Sequence, residues 1–280
     1  MITVPHLAGE ALGTLLATHM TRRFGSTHGR LTELIPTAAR LALDCIGNSD
    51  ALYHNVEHTM LVTLAGHDIM KGRTLLAATG PSDYAHLIIA CLMHDIGYVR
   101  GILRGDGEDG YVIDATGRKT MLPRGSSDAS LLPHRVERSK LFVMDRIGGS
   151  PFLDARRIAH AIEFTRFPGP AEVDDPDDEE GSLLRAADLI GQLGDPHYLR
   201  KAKALYYEFE EVGMNKQLGY DSPADLVQKY PQFYWKTVAP HIETAVRYLN
   251  VTASGRQWIA NLYSNIFCAE RDLSLTGPQR

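Results

Sequence analysis

Seven apolar residues in a row, Leu87-Ile88-Ile89-Ala90-Cys91-Leu92-Met93, run directly into His94-Asp95. Such a run reads as a buried helix segment, and a buried helix does not end in two ionisable side chains unless something compensates them. A divalent metal is the simplest compensation, because neutral imidazole suits transition metals and a carboxylate can bridge a pair of them. The fold must then bring further ligands to the end of this helix. Upstream, Tyr53-His54-Asn55-Val56-Glu57-His58 holds two histidines four residues apart, which in a helix stand one turn above each other on one face. Downstream, His134, His160 and Asp188 each lie in a helix-like context.

The surrounding periodicity is helical. Apolar residues recur at helical spacing over 8–24, ending near Gly25, and over 34–46, where Pro36 is placed in the first turn. Gly47-Asn48-Ser49-Asp50 reads as a stop followed by an N-cap, so the helix carrying His54 and His58 is expected over 52–70. Further helices are expected over 131–147, over 152–167 opened by Pro151, over 183–193 capped by Ser182, and over 201–212, 232–249 and 255–268.

Residues 97–127 break the pattern with glycines, prolines and charges, and 110–117 can begin a short hairpin. A loop this long is usually functional or disordered; directly after the dyad it is either a lid or a surface insertion. Asp174-Asp175-Pro176-Asp177-Asp178-Glu179-Glu180 reads as a solvated surface loop rather than a metal site. No internal repeat or composition shift marks a second domain. The expected architecture is all-α: a single helical bundle with a glycine-rich insertion after the dyad. Its metal-site core spans about 50–195, and the later helices, 196–268, close the domain and contribute to a pocket wall.

Composition narrows the function. The net charge of −5 over 280 residues argues against a dedicated binder of nucleic-acid duplexes, which needs a concentrated basic face. It leaves room for a small phosphorylated substrate met by a few local arginines. The cysteines Cys45, Cys91 and Cys268 form no pair motif and suggest a reducing compartment. No signal peptide is visible, and no apolar run approaches the roughly 20 residues that span a bilayer. A cytoplasmic protein without membrane partners is expected.

The ordered set of an early His, then His-Asp, two separated His and a late Asp resembles the HD superfamily of metal-dependent phosphohydrolases over residues 50 to 195. The stretch 53–58 is also similar to the tyrosine-histidine-asparagine signature of cyclic-nucleotide phosphodiesterases. The resemblance implies a helical bundle in which ligands converge from several helices on two divalent metal ions. One division gives His58, His94, Asp95 and Asp188 to the first ion, with Asp95 bridging to a second held by His134 and His160. Such a pair, about 3.5–4 Å apart, can deprotonate a water while clamping a phosphoryl oxygen.

By the same resemblance His54 gives a proton to the leaving oxygen, a task suited to an imidazole titrating near neutrality. Arg138, one turn beyond His134, and Gln192, one turn beyond Asp188, are candidates to hold the substrate. The expected reaction is hydrolysis of a phosphate ester of a small molecule or nucleotide. Cyclic nucleotides are one option only: Ile96-Gly97-Tyr98-Val99 follows the dyad without the histidine a phosphodiesterase carries there, and no counterpart of its purine-holding glutamine can be placed. The rival readings are a di-iron oxygenase resembling inositol oxygenase, built on the same six-ligand order, and a ligand-binding regulator without turnover.

Overall fold

Helix α4 (Pro81–Met93) stands at the centre of the bundle. Pro81 opens it, the Asp83 carboxylate accepts from the Gly80 amide at 2.8 Å, and every residue from Tyr84 to Met93 is buried. The computed structural model describes residues 2–167 and 178–276. Around α4 pack α2 (Gly29–Ile46), α3 (Val56–Leu76), α6 (Ala155–Glu163) and α7 (Glu179–Leu193); α1 (Val4–Phe24) lies against α2. The chain is all-α apart from a two-stranded hairpin, and one apolar core runs from Leu12 in α1 to Ala269 in the last helix.

Helices α3 and α7 approach very closely. A Cβ on Gly191 would lie 2.6 Å from the Val62 Cα, so only glycine fits there. Gly191 follows Asp188 by three residues and Val62 follows His58 by four, so this approach also brings those two side chains together.

Several boundaries differ from the sequence-based expectation, some of them because of capping. The helix holding His58 starts at Val56 rather than near Leu52, because the Asn55 side chain accepts from the Glu57 and His58 amides. Asp50 is not its cap; it pairs with Arg100 and accepts from the Asp128 amide. Helix α2 begins at Gly29, which leaves Pro36 inside it, seated against Gly13 of α1. Residues 131–134 belong to a 3₁₀ segment, Asp128–His134, that leads into α5 (Arg135–Ile147). Helix α6 is capped by Asp154, and α7 by Asp178 rather than Ser182.

Of the acidic stretch 174–180, residues 174–177 lie outside the described residues. Its last part is anchored rather than solvated: Glu179 pairs with Arg73, and Glu180 with Arg157.

Beyond α7 come α8 (Tyr198–Glu211), the short α9 (Met214–Leu218), α10 (Pro223–Phe233), a π-helical turn (Tyr234–Val238), α11 (Ala239–Leu249) and α12 (Ala253–Thr276). Among the described residues no helix is long and apolar enough to cross a membrane.

The insertion after the dyad contains the expected hairpin. β1 (Tyr111–Val112) pairs antiparallel with β2 (Lys119–Thr120), matching Tyr111 to Thr120 and Val112 to Lys119. Its anchor is Arg138. Fully buried, this guanidinium donates to the carbonyls of Gly97, Val99 and Val112 and makes two bonds to the Asp106 carboxylate. Every donor is thus engaged within the protein, which corrects the assignment of Arg138 to substrate binding. Arg138→Ala should cost roughly 3–5 kcal/mol of stability by leaving Asp106 buried and unpaired, read as a shifted denaturation midpoint. An unchanged midpoint with a raised KM would return Arg138 to the substrate.

Candidate metal centre

Four side chains from three parts of the bundle meet beside the C-terminal end of α4. His58 comes from the first turn of α3, His94 and Asp95 from the end of α4, and Asp188 from α7. His58 Nε2 lies 3.3 Å from Asp95 Oδ2 and 3.4 Å from Asp188 Oδ1. His94 Nε2 lies 3.0 Å from Asp95 Oδ2 and 3.6 Å from Asp188 Oδ1. Bonds of about 2.0–2.2 Å to one ion would put neighbouring ligand atoms roughly 2.8–3.6 Å apart in octahedral or tetrahedral geometry, the range seen here.

Hydrogen bonding supports the same reading. His94 Nδ1 donates to the Cys91 carbonyl at 2.8 Å, which turns the Nε2 lone pair into the cluster, the usual way an outer partner orients a metal-binding imidazole. Both nitrogens of His58 and Nε2 of His94 are buried without a hydrogen-bond partner, a costly arrangement unless a ligand completes it. The loop after His94 is held in place: Ser139 donates to the His94 carbonyl at 2.7 Å and accepts from the Gly97 amide at 2.9 Å. Gly97 is obligatory, since a Cβ there would lie 2.0 Å from the Arg135 carbonyl.

Burial alone would lower the pKa of His94, but Asp95 and Asp188 raise it to about 10. His58 is raised in the same way, against burial, by Asp188 and Asp95. Burial pushes the Asp95 carboxyl up, yet His94 and Arg135 hold it well below the carboxylate range, and His94 and His58 do the same for Asp188. Two buried imidazoles, the buried Asp95 and the partly exposed Asp188 thus demand positive charge among them, which a divalent cation can supply. The cluster can hold a metal ion.

His54 stands next to this set, not one helical turn below His58 as expected. It precedes the Asn55 cap, in a bend held by Glu208 of α8. Glu208 accepts from the Tyr53 amide at 2.6 Å, the His54 amide at 3.2 Å and His54 Nδ1 at 2.5 Å. Burial raises the Glu208 pKa, but His54 outweighs it and keeps the group ionised. The His54 ring stacks on Tyr98 at 4.7 Å, and His54, His58 and Asp95 present ligand atoms within 4.8 Å of one another.

The two remaining histidines lie apart. On α6 the residues on either side of His160, Ile158, Ala159, Ala161 and Ile162, fill the core, so His160 points outward; its side chain is 66% exposed and meets Asp178 at 2.7 Å. His134 ends the 3₁₀ segment, half-buried; burial, Arg138 and Arg118 lower its pKa, against Asp114 of the insertion. The 3₁₀ turn swings the inward direction from His134 to its neighbour Arg135. Arg135 Nη1 lies 3.4 Å from Asp95 Oδ1, and Nη2 donates to the Thr165 carbonyl at 2.6 Å.

A cavity of about 330 Å³ adjoins the cluster, lined by His54, Arg135, Asp188 and Gln192 among others. Asp188, 19% exposed, is the cluster member that faces it. Tyr98 also lines it, but none of residues 99–127 does, so the insertion stands clear of the cavity rather than forming its lid.

A family model described as Npun_R2479-like matches residues 5–272. The chain belongs to the Npun_R2479-like family. No curated protein matches it. The family match in this Npun_R2479-like protein covers every residue of the cluster together with Glu208 and the helices that wall the cavity.

Sequence reasoning overlooked Arg135 and Glu208. Arg135 was hidden by a one-residue difference in register. Glu208 carried a readable signal, because with Leu205 and Phe209 it shares the buried stripe of α8, and a carboxylate there needs a partner as much as Asp188 does.

Proposed function

We propose that the protein is an HD-type, metal-dependent hydrolase of phosphate esters, with His58, His94, Asp95 and Asp188 holding one ion. The observation that carries this reading is the ring of four ligand atoms meeting a cavity at Asp188, with His54 and Arg135 at the same place. When bound, a divalent ion polarises a phosphoryl oxygen and acidifies a water.

The chain's own groups do the rest. Glu208 accepts the Nδ1 proton of His54, which leaves Nε2 to face the reacting atoms. From there His54 can deliver a proton to the leaving oxygen. Arg135, fixed by Thr165, places positive charge beside Asp95 and the cavity, where it offsets charge gathering on the phosphoryl oxygens. Gln192 offers an amide to the body of the substrate.

The test is elemental analysis of the purified protein followed by a screen of phosphate mono- and diesters. About one divalent ion per chain is expected, with ester turnover supported by manganese, nickel or cobalt and lost on chelation. Oxygen consumption by an iron-loaded protein that cleaves no ester would overturn the proposal in favour of an oxygenase.

A further inference from the structure

The cavity extends well past the metal centre. Its volume of about 330 Å³ is far more than a water and one phosphoryl group need. Ligand sites are concave and mostly apolar with a few polar groups, which is the character of this lining.

Its walls are of two kinds. The bundle helices and their loops supply the charged groups of the lining, together with Leu132, Phe164, Phe167 and Leu189. The opposite contribution, from α8, α9 and α10, is apolar: Leu205 and Phe209, Met214 and Leu218, Leu226 and Tyr230. Every residue that these three helices and their connections give to the cavity is uncharged. The apolar packing is divided in the same way. Apart from the main core stand two small clusters, one of Tyr98, Leu132 and Met214 and one of Ala202, Tyr206 and Leu226, with Phe209 packed against both. Phe209, Met214 and Leu226 turn from these clusters into the cavity. A purely polar substrate would leave that wall facing water.

We propose that α8–α10 form a chamber for an apolar group, so that the substrate is an amphiphile: a phosphoryl head at the metal centre and an alkyl or aryl body against Leu205, Phe209, Leu218 and Leu226. The head rests on the phosphate-ester reading; the body rests on the chamber alone. The length of the body is set by the space left once the head is seated.

The experiment is calorimetric binding of ethyl-, hexyl- and decylphosphonate to the metal-loaded full-length protein. Affinity should rise roughly two- to fourfold per methylene until the chamber is full, with an increasingly negative heat-capacity change. Two half-buried positions allow the chamber to be altered with little risk to folding. Leu218→Trp should flatten the length dependence by weakening decylphosphonate far more than ethylphosphonate, and Phe209→Ala should move the optimum to longer chains. Equal affinity for all three compounds would overturn the proposal, as would a length dependence that neither variant alters. Length-dependent binding without cleavage of ethyl or decyl phosphate would support the chamber and overturn the hydrolase. Cleavage of both esters with flat affinities would do the reverse.

Discussion

His94→Ala should strip the protein of its metal and abolish turnover. His94 is wholly buried, its ring is aimed by the Cys91 carbonyl, and its Nε2 faces both carboxylates of the cluster. Losing a partner that merely orients a ligand costs about 10–100-fold in metal affinity; losing the ligand itself should cost more. The rate should fall beyond the 10²–10⁴-fold attached to a missing proton donor, because charge stabilisation and water activation disappear together. Asp188→Ala should behave alike, and both variants should lose thermal stability, since the binding energy of a structural metal is also folding energy.

His134→Ala and His160→Ala provide the contrast. With His160 turned outward onto Asp178 and His134 beside the insertion, both should keep the parent metal content. Elemental analysis of the four variants beside the parent decides the matter. A fall from about two ions to about one in either contrast variant would restore the dinuclear centre; full metal content in His94→Ala would remove the cluster as the binding site.

The second large effect is expected at His54. His54→Ala should retain metal and lose roughly 10²–10⁴-fold in rate, the usual size of a general-acid contribution. The loss should shrink for esters with good leaving groups such as nitrophenolate, which need no proton; an equal loss for good and poor leaving groups would remove the acid role. If metal content falls as well, His54 is a ligand, as its distance to His58 and Asp95 also permits.

Glu208→Gln sharpens the test. One carboxylate oxygen accepts from the two backbone amides and the other from His54 Nδ1. A glutamine can present an acceptor to only one of these sets, so the variant should lose part of the His54 contribution. The loss should again be larger for poor leaving groups than for nitrophenolate esters, because it acts through the proton that His54 delivers. A purely structural Glu208 would lower stability without any dependence of the rate loss on the leaving group.

Much of this protein is legible in its sequence, because the relevant signals are local. An apolar run ending in two ionisable residues announces both a buried helix and an end that could hold a metal; Asp188 in an alanine-leucine-isoleucine context announces another charge in need of a partner. His58, His94, Asp95 and Asp188 stand together in the structure, and the all-α class follows from periodicity over most of the chain. The hairpin in the insertion was readable from its turn residues.

Tertiary structure decided what depends on rotation about a helix axis and on which distant segments touch. A single 3₁₀ segment before α5 moved the inward position from His134 to Arg135, and the burial pattern of α6 turned His160 out. Arg138 became the anchor of the insertion once Gly97, Val99, Asp106 and Val112 converged on it. Glu208 reached His54 from more than 150 positions away, and α8–α10 opened a chamber beside a site formed almost wholly earlier in the chain. Spacing along a chain reports which residues share a face. It carries no information on which face meets which, because that is set by the packing of whole helices against one another.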